Sequence, residues 1–252
     1  MAAPRWRTIL EHGLSKNPEQ TAFQLATLDR DASRFNVDVI PRVRSHLYRR
    51  FVSSPTAPST PVIISSTDIR TRKVTQLTTS TKCELAWWQK DPGQQIRIIG
   101  DAYLVPSPNH SLYSNFHEKL RNAPIGTGLA ALKDKDWEAD RVDLFRNMSP
   151  VMKAGWCRAT PGSKMPGDDE AKTWPKEIYD PEEGNPDKES EKYKEAKRLW
   201  DLALSNFATV VIDPLEVDFV DLSDPTHPER FVFRKRVYDG QPVVWEEEAV
   251  VP

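Results

Sequence analysis

Between Val62 and Leu77 the chain reads VIISSTDIRTRKVTQL, an apolar strand that ends in three hydroxyls and is followed at once by Arg70, Thr71, Arg72 and Lys73. Residues of these types at this spacing, opening a short helix, can hold a phosphate. The first turn of a helix offers backbone N–H groups without intrahelical partners, at the positive end of the helix dipole. The cations of Arg70, Arg72 and Lys73 add charge-assisted hydrogen bonds. The segment therefore suggests a phosphorylated cofactor, and it equally admits a basic turn that is simply solvated.

A second group of cations lies upstream. The extended run from about Phe35 to Phe51 carries Arg42, Arg44, His46, Arg49 and Arg50 among Val43, Leu47 and Tyr48. Alternate residues of an edge strand face water, where arginine is ordinary and discourages edge pairing. Arg42 and Arg50 are read that way. No hydrolytic signature accompanies these residues: GxSxG, HExxH and the P-loop are absent, and none of the five histidines has a nucleophile at diagnostic spacing.

The 252 residues suffice for one domain with a sizeable core, and all-β barrels of this length are common. With 35 basic and 37 acidic residues the formal charge is only -2, so no global field favours nucleic acid or an anionic membrane, and phosphate affinity must be local. No apolar run reaches the roughly 18 residues that span a bilayer, and MAAPRWRTIL does not read as a secretory signal. The expectation is a soluble, cytoplasmic protein. Cys83 and Cys157 fit a reducing compartment and read as small buried apolar groups, and no metal site can be drawn.

Trp6, Ile9, Leu10 and Leu14 share a helical face that Asn17-Pro18 interrupts. Strands are expected at 20–28, along the 35–51 run, and at 61–67, 82–89 and 94–105, with helices at about 112–122 and 137–148. Residues 160–190, rich in Pro, Gly, Asp, Glu and Lys, read as an exposed charged insertion, disordered in part. Asn185 as N-cap and Pro186 start a helix whose stripe of Tyr193, Ala196, Trp200, Ala203 and Phe207 packs on the sheet. FATVVID, then LEVDFVDL after Pro214, RFVFRKRVY and VVWEEEAVV complete the strands. The fold class is mainly β (α+β), one domain over residues 1–252.

The ordered segments FQLATLD, PRVRSHLYRRF, SSTDIRTRKVTQL, QQIRIIGDAYLV, NFATVVIDPLEVDFVDL and ERFVF resemble the pyridoxamine 5′-phosphate oxidase-like family of FMN-binding split barrels, and more narrowly its fungal and bacterial oxidase-like subgroup. The resemblance implies an antiparallel split β-barrel of about six to eight strands with peripheral helices, a homodimer, and FMN between the two subunits. Carried over by position, Arg44, Ser45 and His46 line the FMN, while Ser66, Thr67, Thr71, Arg72 and Lys73 hold its phosphate end. Gln95 matches an amide contact to the flavin, and Arg230 matches a C-terminal arginine that faces the cofactor. Arg49 stands where the true oxidases place a substrate-phosphate lysine. An inward-pointing Arg44 would be costly without an anion, which makes a phosphate its natural partner.

The chain also departs from the vitamin B6 oxidases. They carry an Arg-x-His pair before the final arginine, where this chain has Asp224, Thr226 and His227 nearby and Pro228 in place of the histidine. Val220 replaces a flavin-stacking tryptophan, and Arg50 and Lys153 replace the subgroup's usual Gly and Arg. These changes argue against the B6 oxidase itself. The implied function is an FMN-dependent oxidoreductase on a small organic substrate, with a nicotinamide nucleotide as a candidate reductant and no catalytic side chain assigned. The flavin does the chemistry and the protein supplies placement and electrostatics. A flavin carrier without turnover, and a barrel that has lost FMN, are the alternatives.

Overall fold

The computed structural model describes residues 2–184, 187–238 and 243–252. Helix α1 (Arg5–Lys16) buries Trp6, Leu10 and Gly13, and ends at Asn17. Strand β1 (Ala22–Asp29) follows, with Phe23, Leu25, Thr27 and Asp29 turned inward. The expected single run from Phe35 to Phe51 is divided into a 3-10 turn (Ser33–Phe35), β2 (Ile40–Leu47) and β3 (Arg50–Ser54). The division has a hydrogen-bonding cause. The Tyr48 N–H donates to Thr21 O at 2.8 Å, beside β1, whereas the Arg49 N–H donates to Ile64 O at 2.9 Å on β4 (Ala57–Asp68). The chain changes partner between two consecutive residues.

Helix α2 (Arg72–Thr79) leads to the hairpin of β5 (Lys82–Gln89) and β6 (Gln94–Val105). Five helices come next: α3 (Tyr113–Arg121), α4 (Gly128–Ala131), α5 (Trp137–Arg146), α6 (Pro150–Gly155) and α7 (Asp168–Lys172). Asn185 and Pro186 lie outside the described residues. The following helix, α8 (Glu191–Asn206), is capped instead by Ser190, whose hydroxyl accepts the Tyr193 N–H at 3.2 Å. Trp200 and Ala203 are its buried residues, while Phe207 already opens β7 (Phe207–Asp221). Strands β8 (Glu229–Arg236) and β9 (Val244–Ala249) end the fold.

All pairings are antiparallel, in the order β2-β1-β5-β6-β7-β4-β3, with β8 and β9 branching from β7. The end strands β2 and β3 do not pair, so the sheet curls without closing, as a split barrel does. Among the described residues it has nine strands: the second expected run is divided in two, and the two runs flanking Pro214 are joined in one.

The segments on either side of Pro214 form one 15-residue strand. Proline lacks an N–H and is tolerated where no ladder bond is required. On one side of β7 the partner is β4 up to Ile212 and β8 from Glu216, so Pro214 falls in the gap between them. On the other side β6 skips Leu215 in a bulge at Ile99/Gly100. A Cβ at Gly100 would stand 2.5 Å from Asp213 O, so the close approach there requires glycine.

One core fills the barrel, around Phe23, Leu25, Trp87, Ile96, Ile98 and Phe233. A second lies between the other face of β4 and β7 and the helices, around Phe116, Trp137, Phe145, Trp156, Trp200 and Phe207. Within 160–190, α7 buries nothing, but Ile178 is fully packed in the second core and its N–H donates to Pro150 O at 3.1 Å. That segment is therefore pinned rather than exposed throughout. Among the described residues no helix is long and apolar enough to cross a membrane.

Candidate functional site

Strand alternation sends Arg42, Arg44 and His46 to the inner face of β2 and Val43, Ser45 and Leu47 to the outer one. Arg44 donates from Nη2 to Gln76 Oε1 at 2.7 Å and from Nη1 to Thr27 Oγ1 and Leu25 O. The Thr27 hydroxyl also donates to Gln76 Oε1, at 2.7 Å. Lys73, on the first turn of α2, donates to Thr67 Oγ1 at 2.9 Å. Burial, reinforced by the neighbouring Arg44, pushes its ammonium down to about 8. Arg49 reaches to the opposite side of β4, where it meets Ser66 Oγ at 3.3 Å and Met152 Sδ at 3.8 Å. Burial lowers the pKa of both Arg44 and Arg49.

Between these cations sits His46, only 4% exposed. Burial, then repulsion from Lys73, Arg44 and Arg49, pushes its pKa down to about 3, so the ring is neutral at physiological pH. Its Nδ1 lies 3.0 Å from Ser65 Oγ, and that hydroxyl gives its own proton to Leu47 O at 2.9 Å. Nδ1 must then be the donor, which leaves Nε2 as a bare acceptor with no partner. No carboxylate lies in ion-pair range of Arg44, Arg49 or Lys73 among the described residues.

The helix mouth itself is used differently from the sequence expectation. Arg70 turns back onto Asp68, with Nη2 2.6 Å from Oδ2, and onto the carbonyls of Trp156 and Arg158. Arg72 points outward to Asp31 at 3.2 Å, and the Thr71 hydroxyl bonds Asp68 O instead of capping α2. Of the three cations read from this segment only Lys73 faces the cleft, and Arg44 supplies the second charge from β2. Arg42 and Arg50 are not merely solvated either: Arg42 pairs with Asp29 at 3.0 Å, and Arg50 pairs with Asp140 at 2.9 Å. Arg42 holds the Asp29 carboxyl below its ordinary value.

Ser45, Gln95 and Arg230 occupy the outer face. Ser45 Oγ accepts from Gln24 Nε2 at 3.1 Å. Cross-strand register aligns Trp88, Gln95, Val220 and Arg230 in one row over β5, β6, β7 and β8. Arg230 donates to Asp218 at 3.0 and 2.8 Å, and Arg97 grips the same carboxylate. Burial raises the Asp218 pKa, but the two guanidinium groups outweigh it and hold the group below its usual range. Apart from Thr71 and Arg72, the expected site residues thus form two sets. One, with Arg44, His46, Thr67 and Lys73, lines the inner edge, and Ser66 with Arg49 adjoins it across β4. The other lies outside, up to five strands away in the sheet order. Sequence reasoning missed Thr27 and Gln76, and noted Ser65 only as one of the three hydroxyls that end the strand. Gln76 follows Lys73 by three residues, the spacing of one helical face, and that spacing was the available signal.

An open antiparallel sheet curled in this order has the architecture of a split barrel. Residues 3–106 match the family model described as pyridoxamine 5′-phosphate oxidase, FMN-binding domain, a span that contains every inner-edge residue named above. Over these residues the chain is similar to the FMN-binding domain of that family. A search of the curated proteins found no match. Among solved structures, a pyridoxamine 5′-phosphate oxidase-related, FMN-binding protein from Nostoc punctiforme PCC 73102 is similar, at 19% identity and TM-score 0.66, over 100% of both chains. PhzG from Burkholderia lata 383, solved with tetrahydrophenazine-1-carboxylic acid, is similar at 19% identity and TM-score 0.53, over 97% of this chain and 91% of that one. At that identity the likeness is one of fold.

Proposed function

We propose that the protein is a homodimeric FMN-dependent oxidoreductase acting on a small organic substrate. One observation carries the reading: Arg44, Arg49 and Lys73 are drawn half out of water around a neutral histidine with no carboxylate in ion-pair range among the described residues, Asp29 and Asp68 acting on Arg44 and Lys73 only from farther off. Desolvated cations without a counter-charge are costly. A phosphate offers the missing charge, and Arg44 with Lys73 would hold it. The bare acceptor His46 Nε2 suits a neutral hydroxyl beside that phosphate, as on a ribityl chain. The residues therefore fit FMN by charge and by hydrogen-bonding sense.

Bound flavin supplies electron and hydride transfer. Lys73 gains from the anion a reason to stay protonated, and its contact with Thr67 fixes its direction. Gln95, Arg97 and Arg230 present an amide and net positive charge where a ring that becomes anionic on reduction would be stabilised. Because they lie on the outer face, away from Arg44 and Lys73, a second copy of the chain would bring its outer set to the first copy's cleft. Arg49, beside Ser66 and Met152, would meet an anionic substrate group, and a nicotinamide nucleotide would serve as reductant.

The test is direct. The purified protein is titrated with FMN, then reduced anaerobically with a nicotinamide nucleotide and offered candidate acceptors. Saturable binding to a dimer with steady turnover supports the reading. Binding without turnover identifies a carrier, and a colourless monomer indifferent to flavin refutes the proposal.

A further inference from the structure

The outer face has a feature that the anion-holding edge does not explain. Trp88, on β5, is 51% exposed, the more conspicuous because its neighbour Trp87 is fully buried. A groove of about 440 Å³ runs beside its indole, lined by Ala22, Gln24, Ala86 and Gln95 as well. That volume is within the range of small-molecule sites. Two alanines next to an exposed tryptophan leave the indole face uncovered on a flat floor. Gln95 is the direct cross-strand partner of Trp88, and its amide makes no hydrogen bond among the described residues. Gln24 faces Ala86 across β1 and β5, and Ser45 orients it.

We infer that this groove is a slot for a flat conjugated ring, stacked on Trp88 with its edge read by the Gln95 amide, and that the ring is the isoalloxazine of the flavin. The inference rests on the FMN reading above and adds to it the residue that faces the ring. The chemistry favours this occupant. An indole face attracts a planar, electron-poor heterocycle by offset stacking. A free amide carries both a donor and an acceptor and can pair with an N–H/C=O edge. The row continues through Val220 to Arg230, which shares the single carboxylate of Asp218 with Arg97, so one net positive charge lies along the slot.

Trp88→Leu and Trp88→Phe variants are loaded with FMN and compared with the unaltered protein by flavin emission, FMN titration and sedimentation. An indole stacked on a flavin quenches its emission, and phenylalanine stacks without quenching. Trp88→Leu should therefore raise the emission of bound flavin several-fold and weaken FMN binding about tenfold, whereas Trp88→Phe should raise emission and change affinity by less than about threefold. Ala86→Leu, which fills the floor, should weaken FMN binding without changing competition by inorganic phosphate. Bound emission unchanged in Trp88→Leu overturns the inference, as does a loss of dimer with emission still quenched, since Trp88 would then be only a subunit contact. Failure of the FMN reading looks different: the unaltered protein takes up no flavin, and both proposals fall together.

Discussion

The inner edge of β2 and the C-terminal hairpin both carry dense positive charge on strands, and they treat it in opposite ways. On the hairpin side, Arg234 lies between Glu216 at 3.1 Å and Glu248 at 2.7 Å, and Arg236 pairs with Glu246 at 2.7 Å. Arg230 and Arg97 share Asp218, and Arg5 meets Glu247. Even the buried Lys235 has Asp213 at 2.7 Å, whose other oxygen accepts the Leu129 N–H at 2.8 Å. In the cleft Arg44, Arg49 and Lys73 have hydroxyls, an amide, carbonyl oxygen and sulfur, but no carboxylate. The hairpin cations have carboxylates beside them, whereas those of the cleft have none within ion-pair distance among the described residues. Counting arginines would not separate the two regions; asking what each one faces does.

The contrast breaks most sharply under paired substitution in the cleft. Arg44→Gln with Lys73→Met removes two charge-assisted contacts of roughly 1.5–3 kcal/mol each, so FMN affinity should fall at least about 100-fold in a fluorescence titration. Urea unfolding of the FMN-free variant should show no loss of stability. On the hairpin side the pattern should invert. Asp213→Ala leaves Lys235 buried and unpaired and should cost about 3–5 kcal/mol in urea unfolding, while FMN affinity in the folded fraction changes little.

Lys73 sharpens the comparison through pH. Its folded pKa of about 8 lies below the ordinary 10.5, so in that window the unfolded chain binds more protons and stability should rise with pH. Lys73→Met should abolish this rise and gain roughly 1–2 kcal/mol at pH 7, both read from urea midpoints across pH. FMN binding to the unaltered protein should weaken above about pH 8 as the ammonium loses its proton. The smallest effect is expected at the hairpin rim, where Arg236→Ala should alter stability by less than about 1 kcal/mol, because exposed ion pairs are screened.

Much of this was legible in the residues. Strand alternation and helix periodicity located β1, β5, β6, α3 and α5 closely, since each buries one regular face. The break at Tyr48 was not legible, because a continuous extended run gives no local sign that its hydrogen-bond partner changes. Pro214 looked like a terminator, and only the exchange of β4 for β8 beside it explains why the strand continues. For the site, residue types in VIISSTDIRTRKVTQL pointed to an anion, but their directions depended on which carboxylates they meet. Asp68, two residues before Arg70, claims it from within the segment, whereas Asp31, which claims Arg72, is 41 residues away and nothing local announces it. Whether Ser45, Gln95 and Arg230 join the inner set is a question of assembly, which one chain does not encode by spacing.

The partner change between Tyr48 and Arg49 carries a mechanical corollary. On one side of that seam stands Arg44, moored to β1 and α2; on the other stands Thr67, carried by β4 and reached by Lys73. An anion gripped by Arg44 and Lys73 would act as a rivet across the gap, tying two lips of an unclosed cylinder that the backbone leaves unlaced. Loading the cofactor should accordingly slow amide-proton exchange at residues 47–50 more than anywhere in the distant hairpin.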